Sequence, residues 1–176
     1  MFSAACWKKP WGCPVNDTPL RLALAQSLDD VLEKMFFVRS LGELPQPAAG
    51  PAVTAHLAFE GDPSGSLTLR VTAAAARSVA ADFLGEEECE LSEQQVGEVV
   101  CELANMICGS VLSRVECSTR FRLSAPQLLA PAEDGRSASA EPPTATTYAA
   151  EIGSGAVTVI FNTETPAWPP AEKSEY

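Results

Sequence analysis

The sequence is poor in positive charge and has no long apolar run. Its 176 residues include 12 Lys and Arg against 23 Asp and Glu, a formal charge of −11. Without a basic surface to neutralise phosphates, the chain is not expected to bind DNA or RNA. The most apolar run, residues 99–112, is interrupted by Glu102 and Asn105 and is shorter than the roughly 20 residues that cross a bilayer. No membrane span and no export signal are therefore expected, and we predict a cytoplasmic protein.

The residue types that build most catalytic and metal sites are also scarce. His56 is the single histidine, and it falls on the polar face of an alternating segment, where a surface position on a sheet is favoured. The six cysteines form no C-x-x-C pair and are expected to be reduced thiols, so no metal site is predicted. Catalytic Ser/His/Asp or Cys/His sets, glycine-rich phosphate loops and nucleotide fingerprints are missing as well. These absences give little support to an independent enzyme that acts on a small molecule.

The length and composition fit a single domain. With 46% hydrophobic residues, a chain of this size can bury a substantial core. We interpret residues 1–17 as an irregular arm, 18–162 as the domain, and 163–176 as a flexible tail. Within the domain, residues 130–144 are rich in Ala, Ser, Pro and acid and are predicted to form a mobile loop.

Local patterns predict three helices and five strands. Apolar residues recur at helical spacing in three segments and alternate in others. Thr72 is predicted to cap the second helix and Gly85 to end it in a left-handed conformation. The predicted helices are 18–38, 73–84 and 92–114, the predicted strands are 53–59, 66–71, 119–125, 147–152 and 156–161, and segment 42–51 is a connector.

The third helix is the best specified. Ser92 and Gln95 form a capping box at its start. One stripe of the helix is apolar and is expected to face the core: Val96, Val100, Leu103, Ile107 and Val111. The opposite stripe carries Glu98, Glu102, Asn105 and Gly109 at the spacing i, i+4, i+7, i+11. An ordinary solvated face and a functional face both fit this spacing.

The segment Glu98-Val-Val-Cys-Glu102-Leu-Ala-Asn105-Met-Ile-Cys-Gly109, followed by a strand and Pro126, resembles the CheC/CheX/FliY family of chemotaxis phosphatases. The hairpin with its Glu60-Gly-Asp-Pro-Ser-Gly65 loop and the helix ending at Phe83-Leu84-Gly85 extend the similarity, which is greatest to CheX-like members and covers about residues 20–162. The resemblance implies an α+β fold with two pseudo-repeated helix/β-hairpin units. Its antiparallel-dominated sheet would be covered by helices on one side.

A trace of the family's internal duplication is visible. Asp29, Glu33 and Phe36 lie 69 residues before Glu98, Glu102 and Asn105. Because Phe36 stands where the second asparagine of a two-site member would be, the resemblance implies a single active site.

The resemblance also implies a function. Family members hydrolyse the aspartyl phosphate of a CheY-like response regulator, which makes a phosphorylated regulator the expected partner. Asn105 would orient the attacking water, Glu102 would pair with a lysine at the regulator's active site, and Glu98 and Gly109 would contact the partner. No cofactor is expected on this chain, because Mg²⁺ would be held by the regulator's own carboxylates. Pairing of sheet edges would give a homodimer as in CheX relatives.

An alternative remains open at this point. The same helix face could belong to a non-catalytic module that binds a response regulator or a component of the flagellar switch.

Overall fold

The computed structural model describes residues 19–115, 120–130 and 145–164, and these build a mixed fold of helices on an antiparallel sheet. The irregular arm, Thr18, residues 131–144 of the predicted loop and the tail from residue 165 lie outside the described residues. In chain order the elements are α1 (Pro19–Met35), β1 (Ser40–Glu43), β2 (Ala52–Glu60), β3 (Gly65–Thr72), α2 (Ala73–Leu84), α3 (Glu93–Val115), β4 (Arg122–Leu123), β5 (Gln127–Leu129), β6 (Ala145–Ile152) and β7 (Gly155–Thr163).

Seven strands form one sheet in the order β1-β6-β7-β3-β2-β4, with β5 also paired to β2. Adjacent strands run antiparallel. The inner face is apolar, as in the buried cross-strand row of Ala55, Leu69, Val159 and Tyr148. The helices pack on this face, which confirms the predicted α+β architecture with helices on one side. The two-unit duplication stays a prediction.

On the opposite face of the sheet, β2 and β3 carry mostly polar side chains that are half-buried. His56 lies here, with its Nδ1 3.0 Å from the hydroxyl of its cross-strand neighbour Thr68. The predicted surface position of this histidine is therefore confirmed. Arg70, on the same face, donates to the carbonyls of Ala48 and Gly50 and so fastens the segment that leads into β2.

Helix α1 packs beside α3 and ends earlier than predicted. It stops at Met35 rather than near Val38, because Phe37 adopts a left-handed conformation with φ of 57°. Phe36 turns inward, is fully buried and stacks on Phe83 with ring centroids 4.7 Å apart. Near the end of α3, Arg114 pairs with Asp30 of α1.

Three local predictions were wrong. Thr72 makes no capping bond with its side chain; its hydroxyl accepts instead from the backbone N–H of Ala156 on β7, at 3.0 Å. The predicted connector, 42–51, overlaps the second half of β1, a short edge strand that pairs with β6. The predicted strand 119–125 is reduced to β4, and a second short strand, β5, follows after Pro126. Gly85 ends α2 with φ of 69°, as predicted.

Helix α3 is long and apolar enough to cross a membrane by length and composition, and more than half of that window is buried inside the fold. The sheet and α1 cover its apolar surface. A core helix of a globular protein meets the same criterion.

Candidate functional site

The start of α3 is fixed by local hydrogen bonds. Ser92 Oγ accepts from the backbone N–H of Gln95 at 3.2 Å, and the Gln95 side chain accepts from the Ser92 N–H at 2.9 Å, which confirms the capping box. Arg77 of α2 donates to the carbonyls of Glu88 and Leu91 and pairs with Glu93. The loop between α2 and α3 is thereby held against α2, so α3 begins at a defined place.

The predicted faces of α3 are confirmed. The five residues of the apolar stripe are all buried: Val96, Val100, Leu103, Ile107 and Val111. The other stripe, Glu98, Glu102, Asn105 and Gly109, lies along the outside of the helix, and we call it the α3 ridge. Glu98 and Glu102 are exposed, and Asn105 and Gly109 are half-buried. With a rise of about 1.5 Å per residue, the ridge is roughly 16 Å long.

Two side chains of the ridge are not engaged by the rest of the protein. Within the described part of the chain, neither the Glu102 carboxylate nor the Asn105 carboxamide takes part in a hydrogen bond or ion pair. Glu102 precedes Asn105 by three residues, which places both groups on one side of the helix about one turn apart. They are therefore free to bind a group on another molecule.

The two outer positions of the ridge have different surroundings. Glu98 accepts a hydrogen bond of 2.8 Å from Gln94, one turn earlier. A Cβ at Gly109 would meet nothing within 4 Å. Internal packing therefore does not require glycine at position 109, and the surface above it is open.

The thiols of α3 are poorly suited to nucleophilic chemistry. Burial, and then the negative charge of Glu98, raise the pKa of half-buried Cys101. Burial raises the pKa of Cys108 to about 12. Since the thiolate is the reactive form, neither cysteine is an activated nucleophile near neutral pH.

A resident metal has no site among the described residues, where no three His, Cys, Asp or Glu side chains converge. The exposed carboxylates of the ridge lie about 6 Å apart along the helix axis and have no third ligand beside them.

Gly97 is a residue that the sequence analysis missed. It is buried on α3, and a Cβ there would collide with Cδ1 of Leu128 on β5. A glycine in a helix interior costs about 1 kcal/mol relative to alanine. An unfavourable glycine in the middle of a helix could have indicated, from the sequence, that another side chain packs closely against α3 at this position.

Comparison with known proteins gives a consistent assignment. The model of the family described as chemotaxis phosphatase CheX matches residues 53–148, which include all but the first residue of β2 and the whole of β3, α2 and α3. No curated protein matches the chain.

Solved structures show the same fold at low sequence identity. A chemotaxis protein from Desulfovibrio vulgaris Hildenborough is 20% identical, with a TM-score of 0.67 over 86% of this chain and 100% of that one. CheX from Vibrio vulnificus is 17% identical, with a TM-score of 0.65 over 85% of this chain and 100% of that one. CheX from Borrelia burgdorferi, solved in a complex with CheY, BeF3 and Mg²⁺, is 16% identical, with a TM-score of 0.62 over 82% and 97% of the two chains. Because the family model covers more than half of the 176 residues, this chain belongs to the CheX family of chemotaxis phosphatases.

Proposed function

We propose that this protein hydrolyses the aspartyl phosphate of a CheY-like response regulator. The family assignment supports this reaction, and the Borrelia burgdorferi relative was solved as a CheX–CheY complex with BeF3 and Mg²⁺. The observation that carries the proposal is the pair of unengaged side chains, Glu102 and Asn105, one turn apart on the α3 ridge and inside the matched segment.

Asn105 is assigned to orienting the attacking water. A carboxamide is not basic near neutral pH, but it donates and accepts hydrogen bonds at once and can hold a water in line with phosphorus. The water oxygen bonds to phosphorus while the bond from phosphorus to the aspartyl oxygen breaks. The products are the free carboxylate of the regulator and orthophosphate, which retains the water's protons. Positioning is the main requirement of such phosphoryl transfers.

Glu102 is assigned to the partner's active-site lysine. A carboxylate that pairs with a cation across an interface fixes the orientation of the two proteins. Glu98 and Gly109 are assigned to supporting contacts, the first as an acidic group and the second because an open glycine lets a partner backbone approach. Mg²⁺ is assigned to the carboxylates of the regulator, and a single active site is assigned to this chain.

The test is phosphate release from a panel of phosphorylated CheY-like regulators with and without this protein. On the regulator that responds, Asn105→Ala is expected to lower turnover by about 10²-fold or more, because it removes an interaction needed in the transition state. Binding to the same regulator loaded with beryllofluoride and Mg²⁺ should be retained. Glu151→Ala, exposed on β6 and on the face of the sheet turned away from the helices, is the control and should keep the wild-type rate.

Glu102→Ala should impair binding of the regulator rather than turnover. It removes an ion pair across the interface, so binding to the beryllofluoride-loaded regulator should weaken by about 2 kcal/mol. Wild-type turnover by Asn105→Ala would contradict the catalytic assignment. Binding by the wild type without any phosphate release would favour the non-catalytic binding module.

A further inference from the structure

The strand β5 brings one leucine to the side of α3. In the pairing of β5 with β2, Leu128 lies opposite buried Ala55, and Leu129 lies opposite Thr54. Residues opposite each other in an antiparallel pair share a face of the sheet. Leu128 is therefore on the helix side and Leu129 on the other side.

Gly97 makes room for this leucine. A side chain at position 97 would occupy the space taken by Cδ1 of Leu128, with Cδ2 and Cγ each 3.5 Å away. The other glycine of α3, Gly109, has open space above it. The glycine at position 97 is thus explained by the seating of Leu128 against the helix.

Leu128 remains 48% exposed although it touches α3. Gly97 directly precedes Glu98, and successive residues of a helix point about 100° apart, so Leu128 lies on the flank of α3 next to the ridge and presents apolar surface there. Along the helix, Gly97 is about 12 Å from Asn105. A specific interface covers about 800 Å² on each partner, which is a disc of roughly 16 Å radius. A protein docked on Asn105 would therefore extend over Leu128.

We infer that Leu128, seated by Gly97, is an apolar contact for the phosphorylated regulator that docks on the α3 ridge; this inference rests on the proposed function. The ridge itself offers two carboxylates and a carboxamide, which orient a partner but bury little apolar area. Interfaces combine such polar groups with apolar residues in a desolvated centre. Leu128 supplies the apolar part on the β5 side of the ridge.

The adjacent Leu129 gives a matched control. It is 47% exposed, belongs to the same strand and points to the opposite face. Leu128→Ala should raise the Kd for the beryllofluoride-loaded regulator about tenfold, which corresponds to about 1.4 kcal/mol. It should raise KM by a similar factor and leave kcat unchanged. Leu129→Ala should stay within about twofold of the wild type in both assays.

Two further variants separate a partner contact from a structural role. Leu128→Met keeps apolar surface at the site and should restore most of the affinity. Gly97→Ala should displace Leu128 and raise KM, again with kcat retained. Thermal unfolding of each variant shows whether the fold is intact, and Kd is measured only on variants that unfold cooperatively.

Equal affinities for the two alanine variants would overturn the inference, as would a fall in kcat without a change in KM. A change in sedimentation for Leu128→Ala with unchanged regulator affinity would assign the surface to a second copy of this chain and would also overturn it. Asn105→Ala, measured in the same assay, keeps the proposed function separate. If that variant loses turnover while both leucine variants match the wild type, only the inference on Leu128 fails.

Discussion

Two neighbouring aspartates of α1 have opposite electrostatic environments. Burial raises the pKa of Asp29, and a hydrogen bond from Ser40 offsets part of that effect. A hydrogen bond from Lys34, together with the charges of Lys34 and Arg114, lowers the pKa of Asp30. Ionised Asp30 thus stabilises the fold, whereas ionised Asp29 is disfavoured by it.

These environments predict opposite pH dependences. Asp30 contributes stability above its unfolded pKa of about 3.8, and that contribution is lost as pH falls through its lower folded value. Asp30→Asn should therefore be less stable than the wild type at pH 7, with the difference shrinking toward pH 3. For Asp29 the folded pKa is the higher one, so stability is lost as pH rises through it.

Asp29→Asn should consequently be more stable than the wild type at pH 7 and equal to it at low pH. Urea unfolding of the two variants at pH 7 and pH 3 measures both effects. Parallel pH profiles for the two variants would contradict this account.

At the scale of elements, α3 depends on its cap. The cap satisfies N–H groups that have no partner inside the helix, and the same residues connect the loop to the helix through Gln95 and Glu86, 3.2 Å apart. The cap therefore fixes where α3 begins and stabilises its first turn, just before Glu98, the first residue of the α3 ridge.

Removal of the cap should cost stability. Ser92→Ala should lower the free energy of unfolding by about 1 kcal/mol, because the Gln95 N–H loses its acceptor. Ser113→Ala is the control: its hydroxyl donates to the Gly109 carbonyl inside the helix, where the backbone bond already satisfies that oxygen, so a change within about 0.5 kcal/mol is expected. Chemical denaturation of both variants provides the comparison, and equal losses would contradict a capping role for Ser92.

At the scale of the whole molecule, the candidate site lies in an acidic region. Eight acidic residues occur between Asp82 and Glu102 with no Lys or Arg among them, in a chain of net charge −11. All eight are exposed. A regulator that docks here should meet the ridge with a basic surface.

Binding of the regulator should therefore weaken as salt rises. Between about 50 mM and 500 mM NaCl the Debye length falls from about 14 Å to about 4 Å, which screens attraction over the approach distance. We expect Kd to rise about tenfold over this range, mostly through slower association. The double variant Glu87→Gln/Glu88→Gln, in the loop before α3, should reduce this salt dependence and keep the wild-type kcat. A Kd independent of salt would contradict the electrostatic contribution.

The sequence by itself determined the elements whose causes are local. The faces of α3 follow from the 3.6-residue period of its apolar residues, and its start follows from Ser92 and Gln95, three residues apart. The β2–β3 hairpin follows from alternation on both sides of a turn, and Gly85 was recognisable as a helix end. The placement of Glu102 and Asn105 on an exposed face was predictable for the same reason, since a helix period sets the direction of every side chain.

The tertiary structure alone decided the features whose partners are distant in sequence. Thr72 could have capped α2, but its hydroxyl bonds Ala156, 84 residues away, because β7 lies beside β3. β1 exists only because β6 offers it an edge, and its own four residues carry no strand pattern. Glycine is required at position 97 only because Leu128 of β5 packs against the helix there. A local sequence pattern reflects the periodicity and the hydrogen bonds within one element. The hydrogen bond of Thr72, the formation of β1 and the glycine at position 97 depend instead on which other elements the fold places beside them.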